Sequence, residues 1–142
     1  MSAETRVAGH CYCGAVKVLI TLPVKGCVHC HCVACRQAHG APVVTWLAVL
    51  RERFQLAGRE HLRWYQDTPT SKRGFCGRCG SPMLFVADRW PDEVHVTRIC
   101  IFTDVEIAEI APRAHISYDQ HVDWFPFEDS LPRFDSKKQR MD

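Results

Sequence analysis

The chain has 142 residues, of which 46% are apolar and 24% charged, with a formal net charge of +2 at pH 7. That composition excludes long disorder and fits one domain around one core, large enough to fold without staples. Lys and Arg are scattered apart from Lys137-Lys138-Gln139-Arg140, a poor electrostatic footprint for nucleic acid.

From the N-terminus, Gly9 to Gly14 reads as a turn carrying Cys11-x-Cys13 that opens straight into a strand. Val16 to Thr21 alternates, with Val16, Val18 and Ile20 on one face, the pattern of a half-buried strand. Pro23 and Gly26 punctuate the approach to the stretch Cys27-Val28-His29-Cys30-His31-Cys32-Val33-Ala34-Cys35. After it, Val33 to His39 has room for two helical turns, stopped by Gly40 and Pro42. Val43 to Leu50 is β-branched, aromatic and apolar, hence a buried strand, and short strands are expected at Phe54–Leu56, Leu62–Tyr65 and Arg73–Phe75. Cys76-Gly77-Arg78-Cys79-Gly80 is a second knuckle, followed by strands over Met83–Ala87 and Glu93–Phe102. Val105 to Ile110 suits either type. From Pro112 onward, through Trp124-Phe125-Pro126-Phe127, the sequence predicts an irregular arm covering the sheet with aromatics, then a frayed polar tail of eight residues. The expected architecture is a single, mainly β domain over 1–142 with little helix, its core at about 9–134.

Nine cysteines, at 11, 13, 27, 30, 32, 35, 76, 79 and 100, carry the functional signal. Met1 to Arg6 lacks the apolar stretch of a signal peptide, and no apolar run approaches the roughly 20 residues that span a bilayer. The expected compartment is therefore the reducing cytoplasm, with no membrane partner, and an odd cysteine count there favours metal over disulfides. Cys11-x-Cys13 and Cys76-x-x-Cys79 supply two half-sites of a four-cysteine structural zinc, in which binding energy serves as folding energy. Cys30-x-Cys32-x-x-Cys35 brings three thiols to a second zinc. Three protein ligands and an open position describe a catalytic zinc, which can take a water or hold an external thiol as a nucleophilic thiolate. Four describe an inert one. Cys27, His29, His31 and His39 are the candidates to close the tetrahedron, and Cys27 leads them because Cys27-x-x-Cys30 has a chelating spacing of its own.

His31, between two thiols, is expected to point away from the metal. Arg36 reads as a solvated residue or a carboxylate holder, Cys100 as a buried small hydrophobe, and Trp46, Trp64, Trp90 and Trp124 as core or pocket wall.

Taken in order, Gly9-His10-Cys11-Tyr12-Cys13-Gly14-Ala15-Val16, Cys30-His31-Cys32-Val33-Ala34-Cys35-Arg36 and Arg73-Gly74-Phe75-Cys76-Gly77-Arg78-Cys79-Gly80 resemble the glutathione-dependent formaldehyde-activating family, which includes the centromere protein V type. Trp46, Phe54, Gly58, Leu62, Tyr65, His115, Trp124 and Leu131-Pro132-x-Phe134 extend the resemblance over about 9–134. It implies a zinc-stabilised β-tent fold of small coiled antiparallel sheets. It implies a structural zinc on Cys11, Cys13, Cys76 and Cys79 and a catalytic zinc on Cys30, Cys32 and Cys35, whose open position receives the sulfur of glutathione. The implied activity is that of an S-(hydroxymethyl)glutathione synthase, a carbon–sulfur lyase run in reverse on formaldehyde or a related small aldehyde. The competing expectation is a non-enzymatic, zinc-stabilised interaction module of the centromere type. The long basic or low-complexity extension suited to that role is missing from the sequence, which favours the enzyme.

Overall fold

In the computed structural model, which describes residues 4–103 and 107–141, the strands fall into two sheets. The smaller contains β1 (Arg6–His10), β2 (Lys17–Thr21), β5 (Phe54–Ala57) and β10 (Ile101–Phe102), all antiparallel in the order β10-β1-β2-β5. The larger contains β3 (Gly26–Cys30), β4 (Val44–Leu50), β6 (Leu62–Thr68), β7 (Ser71–Cys76), β8 (Pro82–Ala87), β9 (Glu93–Thr97) and β11 (His115–Ile116). Its order is β11-β3-β4-β9-β8-β7-β6, antiparallel except for the parallel pair β3–β11. Among the described residues one α-helix, α1 (Val33–His39), forms and ends at Gly40 as the sequence predicts, with Gly40 in the left-handed region at φ +61°. The mainly β expectation is met.

Alternation decides what each face of the larger sheet does, because successive side chains of a strand point to opposite faces. Leu47 and Val49 of β4, Leu84 and Val86 of β8, and Val94 and Val96 of β9 face the smaller sheet and pack with Val7, Val18 and Ile20 in the main core. The other face of the same strands carries Val44, Trp46 and Phe85, a second and smaller cluster that contains Cys30 and Cys35.

Besides the two-residue β11, two strands escape the sequence reading for identifiable reasons. Of β1's inward positions, Val7 and Gly9, only one shows an apolar side chain, and a Cβ on Gly9 would sit 2.1 Å from the Cys100 carbonyl oxygen. The other, β3, spells Gly-Cys-Val-His-Cys, whose residues read as ligands before they read as a strand. The continuous strand expected over Glu93–Phe102 is corrected. A 3-10 turn at Arg98–Cys100 breaks it, so β9 belongs to the larger sheet and β10 to the smaller. Of Val105–Ile110, residues 105 and 106 lie outside the described residues and Ala108–Ile110 is a 3-10 turn.

The arm is irregular apart from β11 and a 3-10 turn at Tyr118–Gln120. Phe127 and Tyr118 do pack over the sheet, against His29, His31 and His115, whereas Trp124 is 73% exposed. Trp124 is thus not a core residue. The polar tail, expected to fray, turns back instead: Phe134 bridges Arg140, and the Asp135 carboxylate accepts from the backbone N–H groups of Lys137 and Gln139.

Candidate metal centres

Two groups of thiols converge. In the first, the Sγ atoms of Cys11, Cys13, Cys76 and Cys79 all lie within 4.8 Å of one another. Cys11 and Cys13 follow β1 of the smaller sheet and Cys76 ends β7 of the larger, so the group sits where the two sheets meet. Both knuckles turn on a glycine in the left-handed region, Gly14 at φ +81° and Gly80 at φ +80°. There a side chain would be strained, and the turns are closed by Gly14 N–H to Cys11 O and Gly80 N–H to Cys76 O. Backbone N–H groups of Val16 and Arg78 already donate to the sulfurs of Cys11 and Cys76, at 3.3 and 3.4 Å. Against the opposing effect of burial, hydrogen bonds led by the Ser81 hydroxyl hold the Cys79 thiol down to about 5.

In the second group, Cys30, Cys32 and Cys35 meet the same distance criterion. Cys30 closes β3, and Cys32 is the N-cap of α1, its sulfur accepting from the Cys35 N–H at 3.3 Å. Among the described residues no fourth cysteine, histidine or carboxylate joins them. Cys27 and Cys30 are three residues apart on one strand, an odd spacing that puts them on opposite faces. Cys27 is accordingly buried in the main core while Cys30 lies in the second cluster. None of the candidate histidines meets that distance criterion. His29 Nδ1 pairs with the Thr45 hydroxyl at 2.8 Å, His39 packs edge-on to Trp46, and His31 Nε2 lies 2.8 Å from His115 Nδ1.

That last contact anchors the thiol loop. His115, fully buried on β11, presents Nε2 to the Asp129 carboxylate at 2.9 Å. Asp129 as a carboxylate accepts from His115 Nε2–H, which leaves Nδ1 to accept from His31 Nε2–H. Burial pushes His31 down to about 4, so the ring stays neutral. Arg36, read as solvated or holding a carboxylate, does neither: its Nε donates to the His31 carbonyl at 3.0 Å and its Nη2 to the Gln120 carbonyl at 2.8 Å. The loop between Cys30 and Cys35 is therefore stitched to the arm by the His31–His115 contact and by Arg36.

The second group also has a charged neighbour that sequence reading missed. Arg73 of β7 directs Nη1 and Nη2 at Cys35 Sγ, 3.7 and 3.8 Å away. Its Nε lies 3.3 Å from Asp67 Oδ1 as an ion pair, although the N–H is not aligned for a hydrogen bond. Sulfur contacts from Cys30 and Cys32, then Arg73, draw the Cys35 thiol down to about 2, and the Cys30 thiol is pushed up by the same contacts. The missed signal was the odd spacing of Arg73 and Cys76, which sends the two to different clusters.

A surface groove of about 560 Å³, lined by Arg51, Gln66, Thr70, Lys72, Ala87 and Asp88 among others, borders neither thiol group. Both thiol groups fit a soft, tetrahedral metal ion: their donors are sulfur, and in each a backbone N–H already donates to a sulfur.

Residues 6–120 match the family model described as "Glutathione-dependent formaldehyde-activating enzyme". The chain belongs to that family. A Halomonas elongata protein named "Putative glutathione-dependent formaldehyde-activating enzyme" is 30% identical over 127 residues, 84% of this chain and 80% of that protein. A crystal structure of a Rhodobacter sphaeroides protein, a structural-genomics target, matches with a TM-score of 0.58 at 26% identity, over 70% of this chain and 90% of that one. Within this formaldehyde-activating family member, the two thiol groups are the ones the sequence motifs single out. No described helix is long and apolar enough to cross a membrane.

Proposed function

We propose that the protein is a zinc-dependent enzyme of the carbon–sulfur lyase class, joining the thiol of glutathione to formaldehyde or a related small aldehyde. The observation that carries this reading is the three-thiol group on the outer face of the larger sheet, which has three donors where the first group has four. In this reading Cys11, Cys13, Cys76 and Cys79 hold a structural zinc, and Cys30, Cys32 and Cys35 hold a catalytic one, two ions per chain. When bound at the second site, zinc supplies a fixed place at which an external thiol is kept as thiolate.

The chain's own residues do the rest. Cys30 and Cys35 are buried, and Trp46 and Phe85 wall their side of the cluster, so water is kept from the sulfur face. The His31–His115–Asp129 chain and Arg36 fix the loop, so the three sulfurs need no rearrangement on binding. In the reaction a carbon–sulfur bond forms, the carbonyl π bond breaks, and the proton lost by the thiol ends on the hydroxymethyl oxygen. The cytoplasm, where glutathione is reduced, is the compartment that suits this chemistry.

Exchange NMR on mixtures of glutathione and ¹³C-formaldehyde tests it directly. The zinc-loaded protein is expected to accelerate interconversion of glutathione and its hydroxymethyl adduct, and Cys32→Ser to abolish the acceleration. Two bound zincs with no acceleration would overturn the enzyme reading.

A further inference from the structure

Arg73 lies 38 residues from Cys35 in sequence, and its side chain is 12% exposed. Its guanidinium is fixed on three sides: two N–H groups toward Cys35 Sγ, Nε toward Asp67, and the plane over the Phe85 ring at 5.1 Å. Arginine suits this place, because a planar fork can offer two donors to one atom while stacking on an aromatic face. An ammonium cannot. The guanidinium is therefore a positive charge pinned against one of the three sulfurs.

Three thiolates on a divalent ion give the site a net charge of −1, and a fourth thiolate makes it −2. Beside the buried Trp46 and the Phe85 ring, the added negative charge is costly unless a cation stands against it. Arg73 is that cation. Its N–H groups also withdraw density from the Cys35 sulfur, so the metal draws more strongly on its remaining ligand. Asp67 works against this by offsetting part of the charge while steadying the guanidinium.

We infer that Arg73 is a positioning residue that favours an anionic sulfur over a neutral ligand at the open position of the Cys30, Cys32 and Cys35 group. The inference rests on the reading of that group as a thiol-binding metal site and adds the side chain that selects the thiolate.

Cobalt-loaded full-length protein tests it, with the four-cysteine site as a constant background. Sulfur-to-cobalt charge-transfer absorption is titrated with 2-mercaptoethanol, whose only charge on binding is the thiolate, and with imidazole, which binds neutral. Arg73→Gln is expected to weaken mercaptoethanol about tenfold while leaving imidazole unchanged, with Arg73→Lys in between. Asp67→Asn is expected to tighten mercaptoethanol about threefold, a direction that damage to the fold does not produce. Equal weakening of thiol and imidazole would make Arg73 merely structural and overturn the inference. So would a loss seen with glutathione but not mercaptoethanol, which would make Arg73 an anchor for a glutathione carboxylate. A wild-type protein that binds no thiol overturns the thiol-site reading together with the inference. A wild type that binds thiol, with Arg73→Gln binding it equally well, overturns the inference alone.

Discussion

The two thiol groups use the same atoms to opposite ends. The first draws its sulfurs from two knuckles, Cys13 and Cys76 being 63 residues apart, and stands where the smaller sheet meets the larger. The second takes three sulfurs from six consecutive residues at the join of β3 and α1, on the face turned away from the main core. Closing the longer loop constrains the unfolded chain by about 2 kcal/mol more than closing the shorter one. A metal in the first group therefore stabilises the fold, whereas one in the second organises a loop that the arm already holds. On the proposed reading, number of donors and span of sequence together separate a fastener from a binding site.

The largest effect expected from that contrast is at Cys76. Cys76→Ser should lose cooperative unfolding by circular dichroism, whereas Cys32→Ser should keep it and lose one of two metals per chain by elemental analysis. A folded Cys76→Ser protein retaining both metals would break the distinction. Next comes His115. His115→Leu strands His31 and Asp129 without their shared partner, at a cost of about 2–4 kcal/mol in urea unfolding. The three-thiol group should then release metal to a chelator at lower concentration, with the four-thiol group unaffected. Smallest is Cys27→Ala, a small truncation in the main core costing about 1 kcal/mol, with both metals kept. Loss of a metal from that variant would make Cys27 a ligand and close the second site.

The legible parts of the molecule are those set by neighbours in sequence. The knuckle spacings, the alternation of β2, the apolar run of β4 and the Gly40 stop of α1 each express a local geometric rule, and each stands where the sequence predicts it. The strand β3 was hidden because its residues double as candidate ligands, and β1 because glycine fills one inward position. The break at Arg98–Cys100 was hidden because β9 and β10 are both apolar strands, and apolarity does not say which sheet a strand joins.

What the sequence by itself determined is the inventory: two knuckles, a three-thiol run, a mainly β chain and the family they mark. What only the tertiary structure decided is which side chains share a face. Strand alternation, once β3 and β7 are placed, parts Cys27 from Cys30 and Arg73 from Cys76. Packing across the larger sheet then brings Arg73 to Cys35, and pairing of β3 with β11 brings His115 to His31 across 84 residues. Spacing is a property of the local backbone and can be read along the chain. Facing depends on register between distant strands, which the chain fixes only when the whole core closes.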